Sequence, residues 1–221
     1  MDAIGTLTGK TALVTGGAKR VGAAICRRLH AAGANVMVNY LRSGKAARGL
    51  VAEFNAQRAN SAAMIKADLL HADAPARLIK TTLQTFGRLD VVVNNASSFY
   101  PTPVGQLNEA AWHDLIGTNL KAPLFLSQAA APALRRTGGA IVNIVDIHVD
   151  RPLKNYLVYC AAKAGLAGLT RALARELDRD VKNVHTDIQV LVEIGLVERA
   201  GRRIRVPFDE IRTEFVVRKA A

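Results

Sequence analysis

The chain has 221 residues, half of them hydrophobic, with 30 lysines and arginines against 18 acidic residues and a formal charge of +12. That length suits one α/β domain with a real core, or a domain and a half; no apolar run approaches the ~20 residues of a membrane span, and MDAIGTLTGK lacks the basic-then-apolar pattern of a secretory leader, so a soluble, cytoplasmic protein is expected. The charge favours a polyanionic partner, a nucleotide phosphate or a nucleic acid, while Cys26 and Cys160 are too few and too far apart for a disulfide framework and suit no common metal site.

In chain order, TALVT is followed by a helical pattern over 20–32, NVMVNY by one over 44–57, SAAMIKA by one over 75–86, VVVN by helices within 108–136, and AIVNIV by a helix over 156–177. Strands that alternate with helices build parallel βαβ units. Their nearly continuous apolar character fits a sheet covered by helices on both faces. Residues 1–178 are therefore expected to form an α/β domain with a doubly wound parallel Rossmann sheet, truncated after about its fifth strand and sixth helix. Beyond 178 no sixth parallel strand follows. Val184, Ile188, Leu191 and Val192 mark one helical face with Gly195 as its stop, and LVERA and RIRVP flank Gly201 and Arg202 like a short hairpin. Residues 179–221 thus read as a helix-plus-hairpin segment that shares the helix around 169–178.

The first strand runs into Thr15-Gly16-Gly17-Ala18-Lys19-Arg20-Val21-Gly22, a turn whose small residues let a phosphate approach backbone N–H groups at a helix N-terminus. Lys19 and Arg20 add charge suited to an anion. The second strand ends Asn39-Tyr40-Leu41-Arg42-Ser43, with no acidic residue to hold a ribose 2′-hydroxyl. Arg42 and Ser43 suit a 2′-phosphate instead, so the expected cofactor is NADP(H). Asp68, after the third strand, is placed either to meet the adenine edge or to cap a helix. Asn94-Asn95-Ala96 lets backbone come close to a nucleotide and lets amide side chains brace neighbouring strands.

Tyr159 stands thirteen positions after Asp146, and Lys163 four further on. A strand ending near Val145 places Asp146 beside the start of a helix that carries Tyr159 and Lys163 one turn apart on one face. The three polar groups then converge on one substrate atom, with Tyr159 as proton donor. The ammonium of Lys163 is expected to favour the phenolate. His113 and His148 have no partner at a diagnostic spacing and are read as surface or local structural residues.

Taken in order, TGGAKRVG, NYLRS, NNASSFYPTP, TNLKAPLFL and D-x12-Y-x3-K resemble the short-chain dehydrogenase/reductase family, in particular its pteridine reductase branch, over about residues 9–178. Arg20 at the usual middle glycine and Asp146 at the usual serine depart from the broad family and agree with that branch. The resemblance implies reduction of a pterin or dihydrofolate-type C=N bond by NADPH. Lys163 would contact the nicotinamide ribose, and Asn119 would support Lys163 through a proton path. Asp146 would polarise Tyr159 or relay a proton to a ring nitrogen. Phe99 would stack on the pterin opposite the nicotinamide, and Ser97 would bond to the pterin or to a cofactor phosphate. The family's usual sixth strand, Pro-Gly turn and substrate loop are not visible here. Ala-rich runs at 129–133 and 161–168 suggest pairing of the two long helices in a homo-oligomer.

The last segment resembles part of a winged helix-turn-helix regulator. Lys182, Asn183, His185 and Thr186 would open its recognition helix, and Arg202, Arg203 and Arg205 would meet phosphates from the wing. The alternative function is accordingly a DNA-binding regulator that uses the Rossmann part as scaffold or sensor.

Overall fold

A computed structural model describes residues 7–177, 198–200, 203–205 and 215–216. Five strands, β1 (Thr11–Val14), β2 (Asn35–Tyr40), β3 (Ala62–Lys66), β4 (Val91–Asn94) and β5 (Ala140–Asn143), form one sheet in the order β3-β2-β1-β4-β5. Every neighbouring pair is parallel. The crossovers are α1 (Arg20–Ala31), α2 (Gly44–Gln57), α3 (Ala74–Phe86), and the pair α4 (Glu109–Ile116) and α5 (Ala122–Thr137); α6 (Leu157–Glu176) follows β5. The doubly wound parallel sheet expected through its fifth strand is therefore present.

The alternation of side chains along a strand sorts the core into two layers. From β1 and β2, Ala12, Val14, Val36 and Val38 pack with Ile25, Leu29, Leu50 and Phe54 of α1 and α2. Leu13 and Met37 point the other way and meet Leu78 of α3 and Leu126, Ala130 and Leu134 of α5. Phe54, Leu13, Leu29, Met37 and Leu78 are fully buried, and each such side chain stabilises the fold by about 1.5–3 kcal/mol relative to exposure. A third, smaller cluster of Leu115, Val158, Tyr159 and Cys160 seats α6 beside α4.

Between α4 and α5 the helical path widens into a π-helical turn, Gly117–Lys121, where the sequence periodicity indicates helix throughout. Within Ala129–Ala133, Pro132 is exposed and Ala131 half-buried. Ala130 and Ala133 are buried, and Ala129 packs against the same layer, because this side of α5 lies on the sheet and α3.

In the C-terminal part, β6 (Glu198–Ala200) pairs antiparallel with β7 (Arg203–Arg205), Ala200 opposite Arg203, as the expected hairpin requires. β8 (Phe215–Val216) adds a third strand that the sequence reading did not anticipate. Arg203 and Arg205 lie on β7. The helix expected at 184–192, and Lys182, Asn183, His185, Thr186 and Arg202, lie outside the described residues.

Candidate active site

The chain's polar motifs gather at the carboxyl ends of the strands, where β1 has β2 and β3 on one side and β4 and β5 on the other; open α/β sheets bind ligands at such a switch point. Gly16 turns the chain out of β1 with φ +60°. A Cβ on Gly22 would lie 2.3 Å from the Gly16 carbonyl and 2.6 Å from Asn95 Nδ2, so any side chain there would push α1 off the turn. Arg20, the first residue of α1, takes φ +49°. It thus adopts the left-handed backbone that a glycine at this position would provide, at a cost of roughly 1–3 kcal/mol.

Asn39 ties the turn to the far strand. Its Oδ1 accepts from Gly16 N–H at 3.3 Å, while Nδ2 donates to the carbonyls of Ile65 and Ala67 at 3.4 and 3.3 Å. Lys19, Arg20 and Arg42 are exposed and pair with no carboxylate among the described residues. Ser43 is the N-cap residue of α2, and its hydroxyl makes no capping bond. The Tyr40 ring covers Gly44, where an added Cβ would lie 3.3 Å from it. Asp68 Oδ1 accepts from Leu70 N–H at 3.0 Å, so one of its oxygens serves a local turn.

At the end of β4, Thr15 Oγ1 donates to the Val93 carbonyl and accepts from the N–H groups of Asn95 and Ala96 at 3.0 and 3.1 Å. Asn95 Nδ2 donates to the carbonyls of Thr15 and Gly16 at 2.9 and 3.2 Å. Asn94 Nδ2 reaches Asn143 Oδ1 on β5 at 2.8 Å, and Asn143 in turn donates to Thr170 of α6 at 2.9 Å. These amides brace β1, β4, β5 and α6 as one frame.

That frame positions the Asp146, Tyr159 and Lys163 group. Asp146 caps a short 3-10 turn, Ile147–Val149, accepting at Oδ1 from His148 N–H at 3.0 Å. The Tyr159 hydroxyl donates to its other oxygen, Oδ2, at 2.5 Å. Lys163 lies one turn further along α6; its Nζ donates to the Ile144 carbonyl at 2.8 Å and sits 5.8 Å from the Tyr159 ring centre. Tyr159 and Lys163 are 4 % and 3 % exposed.

Burial, then the hydrogen bond to and charge of Asp146, push the Tyr159 pKa well up, with the Ser97 hydroxyl acting weakly in the other direction. This corrects the expectation that Lys163 would favour a phenolate. Desolvation and the adjacent carboxylate outweigh the ammonium, which is turned toward Ile144. Burial also lowers Lys163 to about 8, against the opposing charge of Asp146.

Asn119 is fully buried on the π turn. Its Nδ2 donates to the carbonyls of Ser98 and Leu115, both at 2.9 Å, and its Oδ1 accepts from Ser97 Oγ at 2.6 Å. Asn119 thus holds the loop that carries Ser97 and Phe99. Phe99 is 52 % exposed. It stacks on Tyr156 at 4.5 Å and meets Tyr159 edge-on at 4.7 Å.

The short chain dehydrogenase family profile matches residues 10–191. The chain belongs to this family. It is 39% identical over 208 residues to pteridine reductase 1 of Leishmania tarentolae, an alignment covering 77% of this chain and 72% of that protein. It is also 39% identical over 169 residues to a 3-oxoacyl-(acyl-carrier-protein) reductase of Staphylococcus aureus, covering 76% of this chain and 68% of the relative. A reductase of the latter name from Synechocystis is 37% identical over 172 residues, covering 77% and 69%. The chain is thus an oxidoreductase of the short-chain dehydrogenase family. The family match runs to residue 191, into the segment where the recognition helix was expected.

Within this short-chain dehydrogenase site, sequence reasoning missed several supporting groups. Asp114 of α4 accepts from Ser98 Oγ at 3.0 Å and from Thr118 Oγ1 at 3.4 Å, fastening the Phe99 loop from the other side. Asn143, Thr170 and Tyr156 carry no motif spacing, and Thr15 and Asn39, though they open two of the motifs, were given no bracing role, since their partners are distant in sequence. Only the Asn-Asn pair after VVV hinted at such bracing. His113 pairs at 3.6 Å with Glu109 on the α4 surface. No cluster of three or more metal-ligating side chains occurs among the described residues, and none of their helices is long and apolar enough to cross a membrane.

The arrangement fits a dinucleotide at one end. Close-packed glycines, a helix N-terminus and unpaired cations meet where phosphates would lie. At the other end, a protonated phenol shares its hydrogen with a carboxylate beneath a partly exposed aromatic ring, a combination able to deliver one proton to a flat acceptor.

Proposed function

We propose that the chain is an NADPH-dependent reductase that adds hydride and a proton across a C=N bond of a dihydropterin or dihydrofolate-type substrate. The 2.5 Å hydrogen bond from Tyr159 to Asp146, under Phe99, carries this reading. A carboxylate beside the donor attracts a ring nitrogen as it takes a proton, whereas it repels the alkoxide that forms when a ketone is reduced. The equal identity to 3-oxoacyl reductases keeps ketone reduction as the competing outcome.

In this reading the turn Gly16, Lys19, Arg20 and Gly22 holds the diphosphate, and Tyr40, Arg42 and Ser43 hold the adenosine ribose and its 2′-phosphate. Asp68 faces the adenine, and Asn95, Ala96 and Ser97 back the nucleotide where β4 ends. The bound dinucleotide supplies the hydride. Phe99 orients the flat substrate by stacking, Ser97 hydrogen-bonds it, and Tyr159 gives its hydroxyl proton to the ring nitrogen while Asp146 holds that hydroxyl. Lys163 would bind the nicotinamide ribose, and Asn119 would fix the loop on which Ser97 and Phe99 sit. Homo-oligomer formation and a cytoplasmic location belong to the same proposal.

Turnover of a dihydropterin is compared with that of a 3-oxoacyl thioester, NADPH supplied to both. The reading requires kcat/KM at least tenfold higher for the pterin, and a tenfold or larger drop in NADPH affinity for Arg42→Ala. Preference for the thioester would replace the substrate assignment. The DNA-binding alternative rests on sequence alone; a salt-dependent mobility shift weakened by Arg203→Ala would be needed to support it.

A further inference from the structure

The fold sets His148 against the outer oxygen of Asp146. His148 Nδ1 lies 2.9 Å from the Arg151 carbonyl. A carbonyl only accepts, so Nδ1 carries the hydrogen and Nε2 is the nitrogen that gains or loses a proton. Nε2 lies 4.0 Å from Asp146 Oδ1, the oxygen that also accepts from His148 N–H. The two side chains are 25 % and 27 % exposed, open enough to exchange protons with water yet sheltered from full screening.

Among the described residues the surroundings are few. From α6, packed against this turn, Tyr159 bonds to Asp146, Lys163 acts on Asp146 through its charge, and Cys160 lies beside Tyr159. Asp150 and Arg151 follow His148 in the same loop. A neutral His148 turns a lone pair toward the carboxylate. A protonated one turns a cation toward it.

We propose that His148 is a positioning residue for proton delivery, its Nε2-protonated form offsetting the charge at Asp146 while Tyr159 gives up its hydrogen. The inference rests on the reductase reading of the site. In that step the Tyr159 O–H bond breaks, its proton passes to the substrate nitrogen, and hydride from NADPH completes the new C–H bond. A phenolate is left beside a carboxylate and later regains a proton from solvent. Two adjacent negative charges oppose this step, and the imidazolium on the far oxygen relieves the opposition. Protonation of His148 therefore speeds the reaction, and turnover falls as pH rises through the imidazole titration.

The test combines two readouts on the full chain. In the first, the His148 imidazole is followed by NMR against pH, its resonance assigned by its loss in His148→Asn. Its midpoint should fall in Asp146→Asn, where the carboxylate facing Nε2 is replaced by a neutral amide; an unmoved midpoint overturns the inference whether or not turnover is detected. In the second, turnover of a dihydropterin with NADPH is measured across pH 5 to 7, below the range in which Lys163 loses its proton. The wild type should lose at least threefold through the imidazole range, while His148→Asn, which keeps a donor toward the Arg151 carbonyl, should be flat there. Identical profiles for the two would overturn the role in proton delivery. Absence of turnover with any substrate would instead count against the reductase reading, leaving the NMR shift to decide the coupling.

Discussion

Lys163 is almost fully buried, yet its ammonium has only the Ile144 carbonyl as hydrogen-bond partner in the described structure. Desolvation lowers its pKa to about 8, so the side chain is charged below that pH and neutral above it. If the ammonium serves the nicotinamide ribose, turnover falls as pH rises through about 8, and Lys163→Met removes that alkaline limb together with most of the activity. A pH–rate profile at saturating substrate checks this, and a limb that survives in the variant would assign it elsewhere. Asp146, Tyr159 and Lys163 were legible in the sequence because one strand end and one helix turn fix their spacing. The direction of the Tyr159 shift was not, because it depends on how deeply the phenol is buried and which Asp146 oxygen it meets.

The π turn at Gly117–Lys121 and the α1–α2–β3 seam are features of elements rather than of single side chains. Asn119→Ala would remove one hydrogen-bond partner each from the carbonyls of Leu115 and Ser98 and from the hydroxyl of Ser97. The expected loss is about 2 kcal/mol by urea unfolding, with a looser Phe99 loop read as a raised KM. At the seam, His30 is buried against Phe54 at 4.3 Å and bonded to Ser61 at 2.8 Å. Burial first, and then the charge of Arg58, lowers its pKa. The unfolded chain therefore takes up a proton at the ordinary imidazole pKa of ~6.5 while the folded chain resists until lower pH. Stability is lost as pH falls below that value, and His30→Gln should flatten the loss between pH 7 and 5 in thermal melts. Periodicity revealed the helices and strands here because apolar spacing encodes them. It missed the π turn, whose side-chain spacing departs from the helical repeat by only one residue, and it missed Asn39, Asp114 and Asn143, whose partners are brought near only by the sheet.

Across the molecule, apolar side chains remain on one group of helices: Trp112 of α4, Leu124 and Phe125 of α5 and Leu157 of α6 are all more than a third exposed. If the chain pairs with itself, these residues are better placed than Ala130 and Ala133, which the sheet already covers. Light scattering of the wild type should then give at least a dimer, and Phe125→Asp should dissociate it without lowering the melting temperature by more than a few degrees. A wild-type monomer at micromolar concentration would reject pairing altogether. The parallel sheet was implied by alternating strands and helices, its strand order was not read from the sequence, and the choice between pterin and 3-oxoacyl substrates depends on a few side chains around one ring. That choice and the role of Tyr159 meet in a single measurement, the rate of NADPH oxidation with a dihydropterin by the wild type and by Tyr159→Phe. Loss of the proton donor should lower kcat by about 10²–10⁴-fold with NADPH binding retained by calorimetry. Equal rates for the two proteins would contradict the account.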